Sequence, residues 1–307
     1  MTLTEKIGTD HASAGALELT SDIREQVEAR LRHAIAAATG APVNLRAAME
    51  HALLAPSKRI RPVLLYLIAE PSPCDVQNTL DLGCAVEMVH TASLILDDLP
   101  CMDDAHLRRE RPTTHIAFGQ ATAILSAIAM LTRAFGIIAE LDAPAETRTR
   151  LAGVLSEAVG HNGLVAGQEI DLNGRSGLVG EAQIENLNWL KTGTLFVAAA
   201  EMGAILRGLS EERIEKVGRF ARHLGLAFQT ADDLLDTTAN ANDIGKDVLK
   251  DGDKATLVSM FGIKRARLTC EQHLAAATAA LRESGVTPAP IDALIDKYFR
   301  AKISNGR

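Results

Sequence analysis

At 307 residues, 47% apolar and 3% aromatic, the chain is long enough to bury a substantial core as one large unit or two ordinary ones. Its formal charge of −7 excludes a general nucleic-acid footprint. Cys74, Cys84, Cys101 and Cys270 form no CxxC pair and read as reduced structural thiols of a cytoplasmic protein. Abundant Ala and Leu with little β-branched alternation predict an all-α chain of about eleven or twelve helices, with no strand.

In chain order, residues 1–20 are expected to be flexible; MTLTEKIGTD carries charge of both signs and no apolar stretch of a secretory leader. A helix is expected over 21–39 with Ser21 at its N-cap, broken by Gly40-Ala41-Pro42, and a second over 44–54, stopped by Pro56. SKRIRP, 57–62, sets Lys58, Arg59 and Arg61 before an apolar helix starting near Pro62, a residue suited to a first turn. Basic side chains at a helix start make an anion site, although solvated surface charge is the competing reading of these residues alone.

After a loop at Pro71 and Pro73, a long helix is expected over 78–99. His90, Ser93 and Asp97 share one of its faces, and Glu87 falls near the same stripe. For His90, a satisfied core histidine and a ligand-contacting one are equally open. The helix leads into LILDDLPCMDDAHLRRER, 94–111, which carries Asp97, Asp98, Asp103 and Asp104 and then Arg108, Arg109 and Arg111. Pro100 limits helix continuation through this cluster.

The next helix, 117–140, contains the apolar run 122–139, but Arg133 interrupts it, so a buried helix and no transmembrane segment is expected. Helices over 145–168, 181–206, 211–235 and 257–303 follow, the last broken at Pro288-Ala289-Pro290. Gly160, Gly163 and Gly167 recur at near one-turn spacing and imply close helix packing or a nearby ligand. Gln168 and Asp171 lie three apart, and Lys191 and Thr192 interrupt an otherwise apolar helix. In AFQTADDLLD, Gln229, Asp232 or Asp233, and Asp236 stack on one face. The polar stretch 239–256, with Lys246, Lys250 and Lys254, is expected to act as a lid.

Two carboxylate clusters at the ends of apolar helices repel unless they are paired or hold metal, and facing each other they make an oxygen-rich cage for Mg²⁺. Cations plus nearby Lys and Arg suit a diphosphate, and apolar helix walls suit a hydrocarbon tail. For such an amphiphile the natural reaction is heterolysis of the carbon–oxygen bond. No Ser-His-Asp order, HExxH, GxxxxGK[ST] or GxGxxG is present, which weakens hydrolase and nucleotide-binding readings. A helical phosphohydrolase and a non-enzymatic scaffold are the more distant alternatives.

KRIRP (58–62), DDLPCMD (97–103), RR (108–109), GQ (167–168), KT (191–192), FQ (228–229), DDLLD (232–236) and GKD (245–247) together resemble the trans-prenyltransferases of the polyprenyl (isoprenyl) diphosphate synthase family. The resemblance spans roughly 45–300 and is greatest to bacterial geranylgeranyl diphosphate synthases serving carotenoid or related pigment biosynthesis. It implies a single isoprenoid synthase-like bundle of mostly antiparallel helices around a central cavity, over 1–307, and a likeness to homodimers. The implied reaction is Mg²⁺-dependent head-to-tail condensation of isopentenyl diphosphate with an allylic diphosphate, three metal ions being held when substrate is bound. By the same resemblance Asp97, Asp103 and Asp232 are the principal metal ligands, with Asp98 and Asp236 supporting. Arg108, Lys191, Gln229 and Lys246 are implied to hold the allylic diphosphate, and Lys58, Arg61, His90 and Arg109 the isopentenyl diphosphate. Thr192 and Gln168 flank the reacting carbons, and Lys254 matches a lysine of the closing segment.

One departure stands out: Pro56 and Ser57 replace the glycines that usually precede KRxRP, which implies an altered loop shape. The small residues Ala92 and Ser93, one turn below the first aspartates, are expected to floor the tail channel and leave room for a C20 rather than a C15 product. Farnesyl diphosphate synthesis is the alternative, and a terpene cyclase the more distant one, since its second metal motif normally mixes Asn, Ser or Thr with Glu.

Overall fold

In a computed structural model, the Ala- and Leu-rich stretches wind into thirteen α-helices among the described residues, which are 3–37, 39–174, 177–178, 180–239 and 256–300, with side chains within 15–235 and 256–300. The helices are α1 (Leu3–Ala36), α2 (Val43–Leu53), α3 (Ile60–Ala69), α4 (Val76–Asp97), α5 (Thr114–Phe118), α6 (Gln120–Glu140) and α7 (Ala145–Val159). They continue with α8 (Leu164–Glu169), α9 (Glu181–Asn188), α10 (Thr194–Leu206), α11 (Glu211–Ala239), α12 (Leu257–Ser284) and α13 (Pro288–Ile295). One continuous apolar cluster runs from Ile23 to Phe299. Its centre is α4 and α10, where Leu82, Cys84, Ala85, Val86, Ala199, Ala200 and Met202 are fully buried. Helices hydrophobic all round belong in a core, and α3, α6, α7 and α11 surround these two.

Several expected boundaries move, each for a local reason. The chain is helical from Leu3, and Ser21, expected to cap the first helix, lies inside α1 instead. Ile23, Val27 and Leu31 make a buried stripe that continues back through Thr20 and Ala16, so packing extends the helix past its weak local signals. The helix expected over 117–140 splits into α5 and α6 at Gly119, whose φ of 84° no helix accepts. The one expected over 145–168 breaks at Gly160–Gly163. The expected break at 288–290 falls earlier, at Gly285 (φ 70°), and Pro288 instead opens α13.

The expectation of no strand also needs correction. Leu107–Arg108 (β1) and Arg111–Pro112 (β2) pair antiparallel, with Arg109 and Glu110 as the two loop residues at φ 53° and 63°. Positive φ at both loop positions is what a two-residue hairpin with matched twist needs, and here no glycine supplies it. Three π-helical turns, Ile170–Gly174, Trp189–Gly193 and Asp296–Arg300, were not legible in the sequence. The first two carry Asp171, Lys191 and Thr192, which fits the tendency of such turns to mark functional positions.

Candidate active site

The first acidic cluster owes its shape to the end of α4. The helix stops at Asp97, and Pro100 turns the chain so that the loop folds back on the helix terminus. The Asp103 N–H donates to the Asp97 carbonyl at 2.8 Å, that of Ala105 to Asp98 at 3.2 Å, and that of Asp104 to Leu99 at 3.0 Å. These bonds use carbonyls that a helix end leaves unpaired, and they bring Asp103 beside Asp97 across the loop. Both line a cavity of about 1280 Å³.

Asp232 and Asp233, near the end of α11, line the same cavity. The cavity therefore has acid on two walls. Burial lifts the Asp97 carboxyl to about 6, Lys191 pulls it down, and neighbouring Asp103 pushes it up again. A buried carboxylate beside a second one is stabilised by a divalent cation. Among the described residues no three acidic, His or Cys side chains converge on one point. Mg²⁺ binds through one or two carboxylates and completes its shell with water and phosphate oxygens.

Asp98 departs from expectation. It does not line the cavity; it is buried, and its carboxylate accepts from Arg108 Nε at 2.7 and 2.9 Å and from Nη2 at 2.6 Å. Asp98 follows Asp97 at the helix end and turns its carboxylate away from the cavity toward Arg108. The structure thus makes Asp98 the anchor of Arg108, which the hairpin presents to the cavity with Arg109. The side chain of Asp236 and all of Lys246 and Lys254 lie outside the described residues.

The basic wall comes from the turn before α3. Lys58 and Arg61 line the cavity, the Lys58 ammonium lying 5.8 Å from the centre of the Tyr298 ring and Arg61 4.5 Å from that of Phe196. Burial draws Arg61 down to about 10, leaving it charged at neutral pH, and its Nε is buried without a hydrogen-bond partner. His90 faces the same space, and burial together with Arg61 and Arg109 holds its imidazole well below the usual range, hence neutral. Glu87, His90, Ser93 and Asp97 line the cavity as a single α4 stripe. Ala92, expected beside Ser93 as a floor, is 3% exposed and does not line the cavity, because it falls on the opposite side of the helix.

Opposite α4, three elements approach closely. A Cβ on Gly167 would lie 2.4 Å from the Lys191 amide nitrogen, and one on Gly225 would lie 2.8 Å from the Gly193 Cα. Of the two explanations for Gly167, close packing is the one observed. It brings Gln168, Lys191, Thr192 and Gln229 to one wall. Thr192 Oγ1 donates to Gln229 Oε1 at 2.9 Å, and Gln229 Nε2 donates to Asp233 Oδ1 at 2.9 Å. Lys191 Nζ donates to the buried carboxylate of Asp171 at 2.5 Å, while Gln168 Nε2 is buried without a partner. A relay of hydrogen bonds thus fixes the threonine and glutamine oxygens beside the second acidic pair.

Sequence reasoning grouped Arg59 with Lys58 and Arg61 at the anion site and Asp171 with Gln168 on one face, and gave Asp233 no role separate from Asp232. The alternation Asp232 or Asp233 was a usable signal for the last. Nothing local distinguishes Arg59 from its exposed-looking neighbours, yet its side chain is fully buried.

Ile60, Leu94, Leu164, Leu195 and Phe228 also line it, so charged walls open onto apolar ones. Such a space takes an anionic head and a hydrocarbon tail.

Residues 42–286 match the family model described as polyprenyl synthetase. The geranylgeranyl diphosphate synthase of Pantoea ananas is 45% identical over 262 residues, 83% of this chain and 86% of that one. A solved geranyltransferase from Legionella pneumophila superposes with a TM-score of 0.85 at 28% identity, over 95% of this chain and 99% of the other. A geranyltransferase from Helicobacter pylori, solved with magnesium and isoprenyl diphosphate, gives a TM-score of 0.79 at 26% identity over 94% and 97%.

Proposed function

The chain belongs to the polyprenyl synthetase family and is a magnesium-dependent prenyltransferase joining prenyl diphosphates head to tail, and we propose that it extends an allylic diphosphate with isopentenyl diphosphate to geranylgeranyl diphosphate, C20. The observation that carries this reading is the shared cavity: two acidic walls, a basic wall and an apolar lining converge on one space.

Bound magnesium supplies electrostatic stabilisation of the charge that develops on the departing diphosphate. Three ions held by Asp97, Asp103 and Asp232, with Asp236, fit this acidic set. Arg108, steadied by Asp98, and Lys191, drawn from Asp171, take the allylic diphosphate oxygens with Gln229 and Lys246. Lys58, Arg61, His90 and Arg109 hold isopentenyl diphosphate. Neutral His90 donates one hydrogen bond there without adding charge. Thr192 and Gln168 direct oxygens at the allylic carbons, where positive charge grows as the bond breaks. The leaving diphosphate is the proton acceptor, so no side-chain base is needed.

A second copy of the chain is the partner. Ile116, Ile124, Leu125 and Ile128 are exposed together on α5 and α6, a patch that a monomer leaves wet at a cost. By length and composition α4 and α6 both suffice to cross a membrane, but α4 is core and α6 carries Arg133 paired to Glu140. All four cysteines are free, the state that a reducing cytoplasm maintains.

Incubating the purified protein with isopentenyl diphosphate and each of the C5, C10 and C15 allylic diphosphates, with and without Mg²⁺, tests the reading. The expected result is metal-dependent accumulation of C20. Arrest at C15, or cyclic hydrocarbon from the allylic substrate alone, overturns it.

A further inference from the structure

The hairpin that brings Arg108 and Arg109 to the cavity is a poor structure to leave unsupported. Each strand is 2 residues long, and a short strand pair alone in water is at best marginal. Both loop residues, Arg109 and Glu110, hold a left-handed backbone that costs energy in a residue with a Cβ. Such a turn keeps its shape only where its flanks are held.

The two strands are held by different helices. On β1, Arg108 is bound through its own guanidinium to Asp98 at the end of α4. On β2 the clamp is a single histidine, His51 in the last turn of α2. Arg111 Nη2 donates to His51 Nδ1 at 3.0 Å and Arg111 Nη1 to the His51 carbonyl at 3.3 Å. On its other side His51 Nε2 donates to the Pro112 carbonyl at 2.7 Å. A guanidinium only donates and a carbonyl only accepts, so the imidazole that fits between them is neutral and carries its proton on Nε2. The Phe118 ring meets it edge-on, 5.3 Å between centroids, which limits its rotation.

Loss of this clamp has different consequences for the two arginines. Arg108 keeps its tie to Asp98 whatever becomes of β2. Arg109 makes no side-chain hydrogen bond or ion pair among the described residues, and Glu87 attracts it only from beyond ion-pair distance. The direction of its guanidinium is therefore inherited from the hairpin backbone. His51 and Arg111 do not line the cavity, so neither reaches the substrate.

We propose that His51, paired with Arg111, is a positioning residue of the isopentenyl diphosphate subsite: it clamps β2 and so aims Arg109 at that diphosphate. The inference rests on the subsite assigned above. His51 acts through the strand, and Arg109 makes the contact.

Steady-state kinetics with each substrate varied separately test this in Arg109→Ala, His51→Ala, Arg111→Met and the double variant of the last two. His51→Ala and Arg111→Met are each expected to raise KM for isopentenyl diphosphate about 5- to 50-fold and to leave the allylic KM within about twofold. The double variant is expected to match His51→Ala, because the two side chains form one contact. Should His51→Ala fail to fold, Arg111→Met decides alone. The positioning role is overturned, and the subsite stands, if Arg109→Ala raises the isopentenyl KM while the folded clamp variants leave it unchanged or raise both KM values together. Additive effects in the double variant overturn it as well. If Arg109→Ala itself leaves the isopentenyl KM unchanged, the subsite assignment falls and the inference falls with it.

Discussion

Asp97 is lifted to about 6 by burial, and the consequence runs in a definite direction. A carboxyl whose pKa is higher folded than unfolded holds a proton that the unfolded chain releases, so without metal its favourable contribution is present at low pH and lost as pH rises through about 6. A cation that binds the ionised form offsets that loss. Mg²⁺ should therefore raise Tm more at about pH 7.5 than at about pH 5, and equal increments at the two would remove Asp97 from the ligand set. Lys191 has a double task, since Asp171 is 1% exposed and faces its ammonium. Lys191→Ala should cut kcat and also cost about 3 kcal/mol of stability, because it strips a buried carboxylate of its cation; denaturant unfolding beside turnover measurements checks both. Ser93 lines the cavity and Ala92 does not, so Ser93→Phe should shorten the product toward C15. Ala92→Phe should instead appear as overpacking of about 1–3 kcal/mol. Shortening by Ala92→Phe alone would place the tail behind α4.

At the scale of elements, the site depends on how closely three helical segments approach. Gly225 on α11 meets the Gly193 backbone in the π-turn before α10, and Gly167 on α8 meets Lys191. Gly225→Ala must push α11 outward and separate Gln229 from Thr192, whose 2.9 Å bond has little slack. The expected outcome is a stability loss of about 1–3 kcal/mol with a larger fall in kcat than in substrate affinity, read from unfolding curves and steady-state kinetics. Gly167 stood out in the sequence with Gly160 and Gly163 as a recurring glycine, but its partner did not, and nothing there marked Gly225. A residue's own string says that it lacks a side chain, and only the packed neighbour says what needs the space. The hairpin at 107–112 illustrates the same limit, because Arg109 and Glu110 carry none of the Gly or Asn signals that announce such a turn.

For the molecule as a whole, the apolar patch of Ile116, Ile124, Leu125 and Ile128 predicts assembly. Replacing Leu125 and Ile128 with Glu should convert a dimer to a monomer in sedimentation velocity; a wild-type monomer would instead leave the patch without a second copy. The helical class, the two acidic motifs, the basic motif ahead of them and the chemistry that those residue types serve were legible in the string of residues, because helix periodicity and carboxylate spacing are local properties. That Asp97 meets the cavity while Asp98 serves Arg108, and that the Arg59 side chain is buried against Glu28 and Glu87, came only from the packing of distant segments. Adjacent residues on a turn or helix end point in different directions, and which direction is interior depends on what the distant segments α1, α4 and α11 place there.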